Sequence, residues 1–370
     1  MVKRTQIRHE YAAAPAKGYW YTRISPVTPA PAADAVRHEA VQRATGAPAA
    51  LSGVEEAMRQ ASVTDDPLGR LAGEQLAIRG KRLRATLTLE AFSTTTTTAP
   101  SHDAQWAAAA VELVHQASLI HDDLTDEDNE RRGQSAVWHA HGPDNALLLG
   151  DHFLAAAFDA AARSRTDGAV VREFAAAVRE AANGQAAEGR RDAITATTDR
   201  LADYERRVRA KSGALMALPV VAGLQVAGAP SDRIKAARAA WRAVGAAYQV
   251  GDDLAELEGR KTGRSRQSDL EQRRLSAPVV HWLEQTSADE AAALLAFLSQ
   301  PAGVSADIGA WRRSLLDSSA PAACRAHQGE LLREARRAGA NLPEAERTLL
   351  ERTIERIARV DTRTSPTAGA

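Results

Sequence analysis

Cysteine is nearly missing from this chain. Cys324 is the only one in 370 residues, which excludes an internal disulfide and a cysteine-built metal site. No sign of charge dominates either. Lysine plus arginine and aspartate plus glutamate both count 47, so no global basic surface is available for nucleic acid. Long apolar runs are absent. The stretch from Ala214 to Leu224 is about half of the ~20 residues a membrane span needs, and Pro219 interrupts it. Lys3 and Arg4 lead into no apolar segment, so a secretory signal is not expected. Alternating strand-like runs are scarce, and no proline falls between Pro143 and Pro219. What remains is rich in alanine, leucine, glutamate and arginine, which are strong helix formers. The expectation is an all-α protein, soluble and cytoplasmic.

Proline is unevenly spread. Four of the fifteen fall in the first 31 residues, beside Ala-rich patches and the aromatic cluster Tyr19-Trp20-Tyr21. Residues 1–33 therefore read as a flexible Pro/Ala-rich extension with one sticky spot. Residues 34–360 read as a single helical domain, and residues 361–370 as a disordered tail. No fixed period recurs.

Two acidic clusters stand out, about 130 positions apart. They are Asp122-Asp123-Leu124-Thr125-Asp126 and Asp252-Asp253-Leu254-Ala255-Glu256. Each places carboxylates at i, i+1 and i+4 at the end of an apolar helical stretch. On a helix i and i+4 share a face, so Asp122 pairs with Asp126, and Asp252 with Glu256. Facing carboxylates repel unless cations lie between them. Hard cations such as Mg²⁺ suit oxygen donors and complete their shell with water and phosphates. In the helix before the first cluster, Val111, His115, Ser118 and Asp122 fall on one face, a small and polar stripe suited to a cavity wall. Arg131, Arg132 and Gly133 follow, and arginine matches phosphate oxygens bidentately. Gly80-Lys81-Arg82-Leu83-Arg84 makes a second candidate phosphate site, and Lys211-Ser212-Gly213 a third basic contact.

These residues resemble the trans-isoprenyl diphosphate synthases, or polyprenyl synthetases, from about residue 50 to 360. The resemblance rests on Gly80-Lys-Arg-Leu-Arg84, on Glu112 through Asp126, on Arg131-Arg-Gly133 and on Leu149-Gly-Asp151. Lys211-Ser-Gly213 and Tyr248 through Glu256 complete it. It implies a helical bundle of the isoprenoid synthase type with a central active-site cavity. It also implies condensation of an allylic diphosphate with isopentenyl diphosphate, giving a longer linear diphosphate and pyrophosphate. By resemblance, three Mg²⁺ ions are held by Asp122, Asp126 and Asp252, with Asp123, Asp253 and Glu256 as neighbouring ligands or just behind. Arg131 and Lys211 grip the allylic diphosphate. Lys81, Arg84, His115 and Arg132 hold isopentenyl diphosphate. Ser212 and Gln249 offer oxygen dipoles to the carbocation. A homodimer is implied as well.

The chain departs from the family pattern in places. Glu256 stands where aspartate is usual. Gly263-Arg264 stands for a Gly-Lys motif, with Lys261 as a rival, and Arg274 stands for a further lysine. Ser212 replaces threonine, and Tyr248 replaces phenylalanine. Ala117 and Ser118, before the first aspartate, are small where a bulky aromatic stops chain growth, so products of C20 or longer are expected. Phe153 and Phe158 could close the cavity floor lower down. Tyr19-Trp20-Tyr21 is read as docking on its own domain or on a dimer partner. Enclosure in an encapsulin shell through the N-terminal extension, as in some members, is the rival reading. Competing functions are a class I terpene cyclase on the same fold and a non-catalytic partner subunit. The basic set around Lys81 and His115 argues against the first, and the two complete acidic clusters argue against the second.

Overall fold

Helix-forming composition leaves little for sheet to use. The computed structural model describes residues 47–78, 80–188, 199–260, 268–301 and 308–362. The extension at 1–33, its boundary with the helical domain, Lys261, Gly263 and Arg264 lie outside the described residues, as does most of the tail. All described residues belong to one compact unit.

The helices are α1 (Ala47–Ser62), α2 (Pro67–Ala77), α3 (Leu83–Ser93), α4 (His102–Asp126), α5 (Val137–His141), α6 (Pro143–Arg163) and α7 (Ala169–Glu188). They continue with α8 (Arg200–Val208), α9 (Ala214–Val226), α10 (Ser231–Leu257), α11 (Ala277–Leu283), α12 (Ala288–Leu298) and α13 (Ile308–Leu316). The last two are α14 (Ala320–Ala338) and α15 (Glu344–Thr362). Among the described residues the only sheet is a hairpin of β1 (Glu130–Arg131) and β2 (Gln134–Ser135). Its two-residue loop is Arg132 at φ 55° and Gly133 at φ 75°, and positive φ at both positions is what a tight hairpin turn requires. No helix among the described residues is long and apolar enough to cross a membrane.

Long α4 packs against α6, α1 and α3, and long α10 packs against α14 and α9. Alanine dominates the buried face of α4, from Ala104 through Ala107–Ala110 to Ala117. Small side chains let neighbouring helices approach closely, so this helix is an axial strut. One core surrounds α4 and α6, a second surrounds α10 and α14, and a third joins α11, α12 and α13. The only cysteine, Cys324, is buried in the second core.

Two close approaches set the site. Between α8 and α9 the chain makes a π-helical turn over Arg209–Gly213. A Cβ on Gly245 of α10 would come within 2.6 Å of the Ser212 carbonyl oxygen, and one on Gly184 of α7 within 2.7 Å of the Lys211 nitrogen. Both positions tolerate only glycine without backbone movement. They press the π turn between α7 and α10 and so place Lys211 and Ser212.

Candidate active site

A cavity of about 520 Å³ opens between α4, α7, the π turn and α10. The first acidic cluster supplies Asp122 and Asp126 to its wall, and the second supplies Asp252, Asp253 and Glu256. His115, Ser118 and Leu119 continue the α4 wall, as the stripe read from the sequence requires. Lys211, Ser212, Gln249 and Tyr248 face them, and Arg84, Arg132 and Arg274 also line the space.

Both clusters end their helices. Asp122 and Asp126 lie in the last turns of α4, and Asp252, Asp253 and Glu256 in those of α10. The terminal carbonyls of a helix already carry partial negative charge. Carboxylates add to it, so both ends attract cations. Protein cations answer part of this field. Lys211 Nζ stands 2.9 Å from Glu188 Oε2 and 3.7 Å from Asp122 Oδ1. Arg274 pairs with Asp126 and stands 3.7 Å from Asp269. Burial opposes the charge on Lys211, but Asp122, Glu188 and Asp126 outweigh it and raise its pKa. Arg274 follows the same rule: burial is outweighed by Glu188, Asp126 and Asp269. Burial would raise the Glu188 carboxyl, yet Lys211 and Arg274 bring it below the usual range.

The i+1 aspartates behave differently from their neighbours. Asp123 is buried beneath the wall, where Arg131 Nε stands 2.7 Å from both its oxygens. Arg131 is therefore turned to the scaffold and does not line the cavity. Asp253 accepts from the Tyr204 hydroxyl at 2.7 Å, from Gln249 Nε2 at 2.7 Å and from the Ala277 amide at 2.9 Å. Burial, its largest influence, raises its pKa against these three donors. Ser212 Oγ donates to Gln249 Oε1 at 2.7 Å. A chain of hydrogen bonds thus runs from Ser212 through Gln249 to Asp253 and Tyr204.

The basic end is organised by α3. The buried Glu112 carboxylate accepts the Arg84 and Ala85 amides at 3.1 and 2.9 Å, which caps the start of that helix. Arg84 Nη1 donates to His115 Nε2 at 2.9 Å. Burial, then Arg84 and Arg132, holds His115 well below the usual imidazole range, so the ring is neutral with Nε2 as acceptor. Lys81 is exposed and lies outside the cavity lining, as does Ala117, which is 0% exposed within the first core. Phe153 is buried in that core, and Phe158 packs against it.

Glu188, Tyr204 and Gln272 were not singled out by the sequence reading. Gln272 Nε2 donates to the Asp126 carbonyl at 2.8 Å. A signal existed for Glu188: glycine within a helix, at Gly184, marks a close crossing one turn before it.

The carboxylate oxygens suit a hard cation. Among the described residues no group of three or more His, Cys, Asp or Glu could hold a metal ion by itself. This donor set fits a cation of the Mg²⁺ type, which takes one or two carboxylates and borrows the rest from water and phosphate. It does not fit a closed structural site.

A family model described as polyprenyl synthetase matches residues 67–310. A (2E,6E)-farnesyl diphosphate synthase of Mycobacterium tuberculosis is 39% identical over 186 residues, covering 49% of this chain and 51% of that protein. The match spans about half of that relative's length. A short chain isoprenyl diphosphate synthase of Methanocaldococcus jannaschii is 30% identical over 253 residues, covering 67% of this chain and 76% of that protein. Among solved structures, a Caulobacter crescentus polyprenyl synthase complexed with calcium and isoprenyl diphosphate superposes with TM-score 0.75 at 26% identity, covering 86% and 96% of the two chains. A Rhodobacter capsulatus decaprenyl diphosphate synthase gives 0.74 at 25%, covering 87% and 99%.

Proposed function

Because this chain belongs to the polyprenyl synthetase family, we propose that it condenses an allylic diphosphate with isopentenyl diphosphate, forming a longer linear diphosphate and releasing pyrophosphate. One observation carries this reading. A single cavity joins both acidic clusters to a separate basic end made of Arg84, His115 and Arg132. An enzyme that only ionises one diphosphate has no use for the second end.

Asp122, Asp126 and Asp252, with Glu256 beside them, would hold Mg²⁺, which would supply positive charge to stabilise the departing pyrophosphate. Lys211 and Arg274 grip the allylic diphosphate from the same side, exchanging their carboxylate partners for phosphate oxygens. Arg84 and Arg132 hold the diphosphate of isopentenyl diphosphate. Neutral His115, which accepts from Arg84, fixes that guanidinium and offers its other ring nitrogen as a donor. Breaking the allylic C–O bond leaves a carbocation, and the isopentenyl double bond attacks it. A proton then leaves the adduct for the released pyrophosphate. Ser212 and Gln249, tied to each other and to Asp253, hold oxygen dipoles near the cation. Leu119, Leu215 and Met216 line the same cavity and exclude the water that would quench it.

Small Ser118 on the α4 wall supports products of C20 or longer. Leu147 and Leu148, each 50% exposed on α6, offer an apolar face for a second copy, and a homodimer is the proposed assembly. Light scattering that returned a monomer would remove that part.

The deciding assay is incubation with Mg²⁺, isopentenyl diphosphate and C5, C10 or C15 allylic diphosphates. Elongated linear diphosphates are expected. Cyclised hydrocarbon formed without isopentenyl diphosphate would make the protein a cyclase. A protein that binds but never turns over would be a partner subunit.

A further inference from the structure

The turn before α11 is built for glycine and carries arginine. Arg273 sits at φ 59°. Its amide reaches the Leu270 carbonyl at 3.2 Å, and the Arg274 amide reaches the Asp269 carbonyl at 2.8 Å. This pair of bonds defines a helix-ending turn whose left-handed position is normally glycine. A long side chain there is disfavoured, so its retention calls for a side-chain reason.

The reason lies on the far side of the turn from the cavity. Arg273 is 4% exposed, its guanidinium carbon lies 4.0 Å from the centre of the Phe297 ring, and Nη1 donates to the Leu270 carbonyl at 2.8 Å. Phe297 belongs to the third core, where its ring meets Trp311 at 5.8 Å and Trp311 meets Trp282 at 5.9 Å. The neighbours of Arg273 go the other way. Gln272 donates to the Asp126 carbonyl, and Arg274 pairs with the Asp126 carboxylate. Three consecutive side chains therefore bridge the aromatic core and the first acidic cluster.

We propose that Arg273 is a positioning residue whose buried contact with Phe297 pins the 268–276 turn, and so holds Gln272 and Arg274 at Asp126. The link to catalysis rests on the function proposed above; the pinning does not. With the turn loosened, Arg274 samples many positions and grips the allylic diphosphate less well. The isopentenyl end, built from Arg84, His115 and Arg132 on other elements, is untouched.

Glycine separates backbone from side chain. Arg273→Gly relaxes the left-handed position while removing the anchor, Arg273→Lys keeps a cation over the ring, and Phe297→Leu keeps the bulk without the π face. Two readouts apply: amide hydrogen exchange of residues 268–276 in the ligand-free protein, and separate KM values for the two substrates. Arg273→Gly should exchange about tenfold faster there and raise the allylic KM about tenfold, in line with a desolvated cation–π contact. The isopentenyl diphosphate KM should stay put. Arg273→Lys should fall between, and Phe297→Leu should reproduce Arg273→Gly without adding to it. An Arg273→Gly protein with wild-type exchange and wild-type KM overturns the proposal, since the backbone alone would then set the turn. So does a loss confined to kcat with both KM values unchanged, which marks a merely structural role. If Arg273→Gly does not fold, Arg273→Lys and Phe297→Leu decide by the same criteria. A wild-type protein without turnover would defeat the functional reading, and hydrogen exchange would still decide the pin.

Discussion

The Tyr204 hydroxyl donates to Asp253 Oδ2 across 2.7 Å, with both side chains buried. Neighbouring Asp252 faces the cavity. Asp253 borders the same space but is tied to the scaffold by three donors. Tyr204→Phe leaves a buried acceptor one donor short and should cost about 1–3 kcal/mol in urea unfolding. Asp253→Asn should cost at least as much, because an amide cannot accept from all three donors. Asp252→Asn should cost less stability than Asp253→Asn and lower kcat on the order of a hundredfold or more. Equal loss of stability in both aspartate variants would refute this division.

Acid should loosen the packing behind Tyr204 first, where the His327 ring lies 6.5 Å from the Tyr204 ring. His281 Nε2 lies 3.1 Å from His327 Nδ1, and His327 Nε2 lies 3.1 Å from Glu205. Burial, then His327, brings His281 from 6.5 down to about 4, and burial also lowers His327 despite Glu205. The unfolded chain binds protons at these rings near pH 6.5 and the folded chain only at lower pH. Stability is thus lost as pH falls from about 6.5 toward 4, by about 1–2 kcal/mol at pH 5. Denaturation curves taken from pH 7 to 5 check this, and His281→Asn should flatten the slope.

Ser118 and Ala117 are adjacent in sequence and unlike in place. Ser118→Phe projects into the cavity and should shorten the product with little loss of stability. Ala117→Phe enters the packed core and should destabilise by about 1–3 kcal/mol. Product chromatography with thermal melts separates the two. An Ala117→Phe protein that melts like wild type would place this wall elsewhere.

Mg²⁺ and pyrophosphate should bind as partners. Lys211 and Arg274 already engage the acids, so the cation alone finds few free donors. Mg²⁺ by itself should barely move the melting temperature. With pyrophosphate present at ~100 times its Kd, stability should rise by about 2.7 kcal/mol. A full shift from Mg²⁺ alone would point to a preformed metal cage.

The helical class and the first acidic cluster were legible because both depend on local spacing. His115, Ser118 and Asp122 follow from 3.6-residue periodicity, and the structure puts them on one wall. The split between Asp122 and Asp123 is less visible, since it depends on Arg131 returning through a hairpin. Tyr204 and Gln272 left no local trace. Gln272 meets Asp126 across 146 positions of chain, and only the packing of the third core brings it there. Lys81 illustrates the reverse: a basic motif read as a unit separates into an exposed Lys81, a buried Arg82 and a cavity-lining Arg84.

The π turn has a consequence for helical phase. Tyr204, Val208, Ser212 and Met216 all line the cavity, as do Arg207, Lys211 and Leu215. Both series step by four. At about 100° per residue, twelve residues overshoot three full turns by about 120°, so an unbroken α-helix would rotate Met216 away from the face that Tyr204 presents. The wide turn at Arg209–Gly213 absorbs much of that drift. Deleting Ala210 would leave a longer regular helix with its upper half rotated against its lower half. The irregular stretch is thus a phase corrector that keeps seven side chains spread over thirteen positions aimed at one volume.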